Sequence, residues 1–90
     1  MFRFKRGIPV PYDQQGFIYF TSKRYRFLSP GERKRIRELC RKASLEHREA
    51  VLEYVTTDTP ADTVCTRHFL SRSTLERVTR RYYMLFSQSL

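Results

Sequence analysis

The sequence predicts an all-α fold: a small domain of four helices, at about residues 30–43, 45–55, 60–68 and 72–87, behind an extended N-terminal arm. Three observations predict it. A capping residue stands ahead of each helical segment, apolar residues recur within them at helical spacing, and only one of the chain's three glycines lies beyond residue 16. At 90 residues the chain buries only roughly 60% of the surface its unfolded form exposes, so one modest core is expected. A hydrophobic fraction of 40%, with 14% aromatics, is too rich for a disordered basic tail.

Residues 1–28 are read as a basic, aromatic arm, the first sixteen of them extended, with two of the chain's four prolines and no helical period. Phe17-Ile18-Tyr19-Phe20 is expected as a short strand or extended plug on the core, and Ser22 to Leu28 as a helical turn with Tyr25 and Leu28 inward. Ser29-Pro30-Gly31-Glu32 is a capping box with proline at the first helical position, so a helix starts there. Ile36, Leu39, Cys40 and Ala43 form its apolar stripe. Ser44 is expected to cap the next helix, in which Arg48, Val51, Leu52 and Val55 share a face flanked by Leu45 and Tyr54. Thr59-Pro60-Ala61-Asp62 repeats the cap logic, and Ala61, Val64, Cys65 and His68 give a third stripe. Ser71 caps the last helix, with Leu75, Val78, Tyr82, Leu85 and Phe86 inward.

The charge is strongly positive: 18 Lys plus Arg against 9 Asp plus Glu, a net +9. Arginine supplies fourteen of those bases, and its planar fork suits phosphate and guanine edges, so a polyanionic partner is expected. The bases are concentrated at the two ends, six against one acid in residues 1–28 and five against two in residues 59–90, while residues 29–58 are nearly balanced.

Other function classes fit poorly. Two cysteines, Cys40 and Cys65, do not make a disulfide-stapled secreted framework. No apolar run approaches the roughly 20 residues of a membrane helix, and Pro9 and Pro11 interrupt any signal-peptide core. A cytoplasmic protein without membrane association is expected. Cys65 and His68, with Cys40 and His47 upstream, match no zinc-finger spacing, so no metal site is expected. Lacking a glycine-rich phosphate loop, paired carboxylates in an apolar setting, and a nucleophile with its base, the chain is expected to be no enzyme and to carry no cofactor.

The outward face of residues 72–87 is the candidate binding surface. With about 100° per residue and Leu75 at zero, Ser73, Glu76, Arg77, Arg80 and Met84 fall opposite the core, flanked by Arg72, Thr74 and Arg81. Central arginines with short hydroxyls suit phosphate contacts and guanine readout, and Glu76 can accept from cytosine or orient a neighbouring arginine. In the arm, Arg3, Lys5 and Arg6 precede Gly7, a pattern suited to minor-groove contact. Phe2 and Phe4 between them also suit stacking on unpaired bases. Lys23, Arg24 and Arg26 extend the basic surface.

The run Phe69-Leu70-Ser71-Arg72-Ser73-Thr74-Leu75-Glu76-Arg77-Val78 resembles the turn and recognition helix of bacterial and phage helix-turn-helix proteins. The resemblance covers residues 59–83; Leu70, Leu75 and Val78 match buried positions, while Phe69 stands where the family has glycine, Cys65 where it prefers alanine, and His68 where an aliphatic is usual. The carboxy-terminal half resembles, more distantly, the last region of sigma factors and phage transcription activators. The whole chain resembles small proteins of Gram-positive bacteria and their mobile elements, through Gly16-Phe17-Ile18-Tyr19-Phe20-Thr21, Val55-Thr56-Thr57-Asp58 and Arg67-His68-Phe69-Leu70-Ser71-Arg72-Ser73-Thr74-Leu75; that family implies no established activity.

These resemblances imply a helix-turn-helix domain over residues 29–90, and a DNA-binding transcriptional regulator reading double-stranded DNA with residues 72–87. One such helix per chain binds weakly, so a homodimer through Tyr82–Phe86 or a protein partner is expected. The alternatives are an adaptor of a phage or mobile element that docks the same motif on an acidic protein, and a single-stranded nucleic-acid binder.

Overall fold

The computed structural model describes residues 8–90. It has five helices and, among the described residues, no strand: α1 (Tyr12–Lys23), α2 (Pro30–Ala43), α3 (Arg48–Thr56), α4 (Ala61–His68) and α5 (Arg72–Gln88), with a 3₁₀ turn at Tyr25–Phe27 between α1 and α2.

The first of these helices corrects the sequence reading. Tyr12–Lys23 is helical, so Phe17–Phe20 is neither strand nor plug, and the sequence pattern predicts only the turn near Tyr25. Among the described residues of this segment, Ile8, Val10 and Ile18 are buried in the same core as α2, α3 and α5. Locally this helix is weak. Pro11 stands at its N-cap with no side-chain cap, and Gly16 lies inside it, at a cost of about 1 kcal/mol relative to alanine. Tertiary packing holds it instead. Its inner face is Gln15, Ile18 and Ser22, two of them polar and both satisfied. Gln15 Nε2 donates to the Val10 carbonyl at 3.2 Å. Ser22 donates its hydroxyl proton to the Ile18 carbonyl at 2.7 Å, so the buried Tyr82 hydroxyl, 2.7 Å away, donates to Ser22 Oγ.

The remaining helices follow their local signals. Ser29 Oγ accepts from the Glu32 N–H while the Glu32 carboxylate accepts from the Ser29 N–H, both at 3.2 Å, completing the capping box of α2. Ile36, Leu39, Cys40 and Ala43 are buried as a stripe. The third helix starts at Arg48 rather than 45, because Ser44 Oγ accepts from the His47 N–H and holds a turn first. Leu45 is 62% exposed and Arg48 is exposed, while Ala50, Val51 and Val55 face inward. At the far end, Arg35 of α2 donates to Ser89 and lies 5.1 Å from the Phe86 ring, tying the last turn of α5 to α2.

The core has two parts. The larger joins α1, α2, α3 and α5 around Ile18, Ile36, Val51, Tyr82 and Phe86. The smaller is Ala50, Val64 and Leu75, with Tyr54, Ala61, Cys65 and Leu70 against it, and it seats α4 and the start of α5 on α3. No helix among the described residues is long and apolar enough to cross a membrane.

Candidate nucleic-acid interface

The candidate surface is built on α5 and on its approach from α4. Phe69 ends α4 in the left-handed region, at φ 58° and ψ 52°. Its N–H and that of Leu70 both reach the Cys65 carbonyl, closing the helix, so the left-handed turn is kept with phenylalanine in the place of glycine. The Phe69 side chain is 92% exposed. Two residues on, Ser71 Oγ caps α5 by accepting from the Thr74 N–H at 3.1 Å. The same hydroxyl meets Thr74 Oγ1 at 2.9 Å and Ser73 Oγ at 3.2 Å.

Seven sequence-predicted site residues lie on α5, and the structure divides them. Arg72, Ser73, Glu76, Arg77, Arg80 and Arg81 are exposed, and Thr74 is half-buried. At the first turn the charges are already paired: Arg72 Nη1 donates to Asp62 Oδ1 at 2.8 Å, and its other amine nitrogen lies 3.9 Å from Glu76. The hydrogen bond from Arg72 to Asp62 raises the Arg72 pKa further. Ser73 and Thr74 are part of the cap's hydroxyl cluster.

Further along α5 the balance changes. Arg77, Arg80 and Arg81 line an open groove of about 590 Å³ with Ala43, Ser44, Val78 and Met84, where the end of α2 meets the outer face of α5. Arg81 Nε donates to the Lys42 carbonyl at 3.4 Å, in the last turn of α2, where the helix dipole favours a cation. Among the described residues no carboxylate lines this groove. Three guanidinium groups lining one open channel give it a positive potential.

Arg3, Lys5 and Arg6 lie outside the described residues. Lys23, expected on the basic surface, instead turns to α3, donating to the Tyr54 and Thr57 carbonyls with Asp58 at 3.9 Å. In the Tyr82–Phe86 stretch Met84 is exposed and Leu85 half-buried, while Tyr82, Tyr83 and Phe86 are buried inside the chain. They are inward because α5 packs against helices on two sides, α2 and the unforeseen α1.

Glu53 is a residue that spacing along the chain did not reveal. Its carboxylate joins His68 Nε2 at 2.7 Å and Arg67, fastening α4 to α3. The hydrogen bond to His68 is the main cause of its lowered pKa, with Thr59 and Arg67 helping against the opposing effect of burial. His68 therefore meets a carboxylate rather than a metal-ligating cysteine. Among the described residues no group of three or more His, Cys, Asp or Glu is placed to hold a metal ion. Cys40 and Cys65 are free thiols, and burial pushes the Cys40 pKa up to about 12.

No family model, curated protein or solved structure matches the chain.

Proposed function

We propose that the chain is a DNA-binding protein, a small transcriptional regulator that lays α5 in the major groove as the second helix of a helix-turn-helix formed with α4. The observation that carries this reading is the groove of Arg77, Arg80 and Arg81, which no carboxylate of the described residues lines. Supporting it are the short connection Phe69–Ser71 between α4 and α5, the Ser71 cap, and the exposure of the outer face of α5. Arg77 and Arg80 are the principal contacts. Arg72 joins them only by exchanging Asp62 for a phosphate or base edge, and the arm bases Arg3, Lys5 and Arg6 add minor-groove contact.

The test is binding of duplex fragments over a salt series, with wild type, Arg77→Ala and Arg80→Ala. Where the replaced arginine touches a phosphate, the slope of log K against log salt falls by about 0.9. Where it reads a guanine, the variant loses about 1–3 kcal/mol at that base pair alone. If neither variant changes affinity or slope, α5 does not carry the binding.

A protein-interaction adaptor is the second reading, favoured by Phe69: an aromatic ring held 92% exposed on a left-handed residue is the kind of anchor protein interfaces bury. Phe69→Ala then weakens binding to an acidic protein partner and leaves duplex affinity unchanged.

A further inference from the structure

Glu76 is the only acid in α5, whose exposed positions otherwise carry Arg72, Arg77, Arg80 and Arg81. Its side chain is 61% exposed. The ion pair it makes is with Arg72, one turn back, at 3.9 Å, too long for a hydrogen bond. The usual duties of a surface carboxylate are filled elsewhere. Asp62 holds Arg72, accepting from its Nη1 at 2.8 Å, and Ser71 caps the N-terminus of α5. Glu76 lies beyond the first turn of α5, where the helix dipole favours an acid most. Its oxygens are therefore exposed to solvent without a hydrogen-bonded partner in the chain.

On a face that docks on a duplex, such a carboxylate repels phosphate and lowers affinity for every sequence, unless it meets a hydrogen-bond donor. Base edges in the major groove supply two, the amino groups of cytosine and adenine. Adenine sets its N7 acceptor beside the amino group, which opposes a carboxylate, whereas cytosine presents its donor without an acceptor of its own. Residues near the start of a recognition helix are those that reach base edges, and Glu76 is one turn in.

Resting on the DNA reading of α5, we propose that Glu76 determines base specificity, its carboxylate accepting from the 4-amino group of a cytosine in the major groove. The arginines attract the duplex, and Glu76 penalises each site that lacks cytosine at its position.

Selection from a random duplex pool by wild type and by Glu76→Ala is the first measurement. Wild type is expected to enrich one C·G pair that the variant no longer requires. The variant, relieved of an exposed negative charge, should bind random duplex about twofold more tightly. The second measurement places pyrimidin-2-one, a cytosine without its amino group, at that position of the selected site. Wild type should lose about tenfold in affinity, within the range of one base contact, while Glu76→Ala binds both duplexes alike. The guanine on the opposite strand is unchanged, so an arginine reading that guanine predicts no such difference between the two proteins. An unaltered base preference in Glu76→Ala would overturn the proposal and leave Glu76 a merely repulsive charge. So would an equal loss on pyrimidin-2-one in both proteins. If Arg77→Ala and Arg80→Ala still weaken binding, that failure leaves the DNA reading standing; if wild type binds no duplex, both fall together.

Discussion

Replacing Phe69 by glycine should stabilise the protein. At φ 58° the residue sits in the region where a Cβ crowds the following carbonyl, at a cost of about 1–2 kcal/mol for an L-residue. The ring recovers almost nothing in return, since the residue is 92% exposed. Glycine removes the crowding but adds freedom to the unfolded chain, which returns about 0.4–1 kcal/mol. The net gain is therefore about 0.5–1 kcal/mol, or a rise in Tm of roughly 2–8 °C for a domain of this size. Urea unfolding followed by far-ultraviolet circular dichroism measures it as a shift in midpoint at constant slope. Phe69→Ala is the internal control, because alanine retains the Cβ and gives up only an exposed ring; it should stay close to wild type. If glycine is no more stable than alanine, Phe69 is not held left-handed. If alanine itself is destabilised by more than about 1 kcal/mol, far beyond an ordinary surface change, the ring is not exposed.

Other perturbations test the remaining contacts. The Glu53 pKa is depressed below its ordinary 4.5, so its bond to His68 contributes stability fully above that value and loses it as pH falls through the lowered one. Glu53→Gln should flatten the acid limb of a stability–pH curve below about pH 4.5; an unchanged limb would show that the pair does not form. Ser22→Ala leaves the buried Tyr82 hydroxyl unsatisfied and should cost about 1–3 kcal/mol, Tyr82→Phe leaves Ser22 still bonded to the Ile18 carbonyl and should cost about 0.5–1.5 kcal/mol, and the double variant should cost less than the sum, a coupling read from a double-mutant cycle. Additive effects would break the assigned bond. Asp62→Asn releases Arg72, so on the DNA reading duplex affinity should rise and the log K against log salt slope should steepen by about 0.9. An unaltered slope would mean that Arg72 makes no phosphate contact even when released.

Much of the fold was legible because it is written in local chemistry. The capping box at Ser29 and Glu32 needs only four neighbouring residues, and the starts of α2 and α5 fall where the caps put them. The first helix was illegible for a physical reason: two of its three buried positions are polar, and what makes Ser22 an inward residue is Tyr82, sixty positions away. The start of α3 slipped because the Ser44 hydroxyl serves the His47 N–H in a turn rather than a helix cap. On the candidate surface, a helical wheel is enough to find Arg77, Arg80 and Arg81 together. It does not show that Asp62, on another helix, holds Arg72, nor that α2 supplies the groove's second wall. Thr79 and Tyr83 were missed as inward positions because the sequence offered α5 only one packing side.

The two-part core has a mechanical consequence. Helix α4 is attached through one small apolar cluster, the Glu53 clasp and the exposed Asp62–Arg72 pair, whereas α1, α2, α3 and most of α5 share the larger cluster. Opening that clasp exposes little apolar surface, so α4 can lift away at a fraction of the free energy needed to unfold the whole. On this arrangement α4 is expected to be the first element to open. Amide protons of α4 should exchange well before those at the centre of α2, and α4 can change its angle to α5 while the rest of the chain stays still.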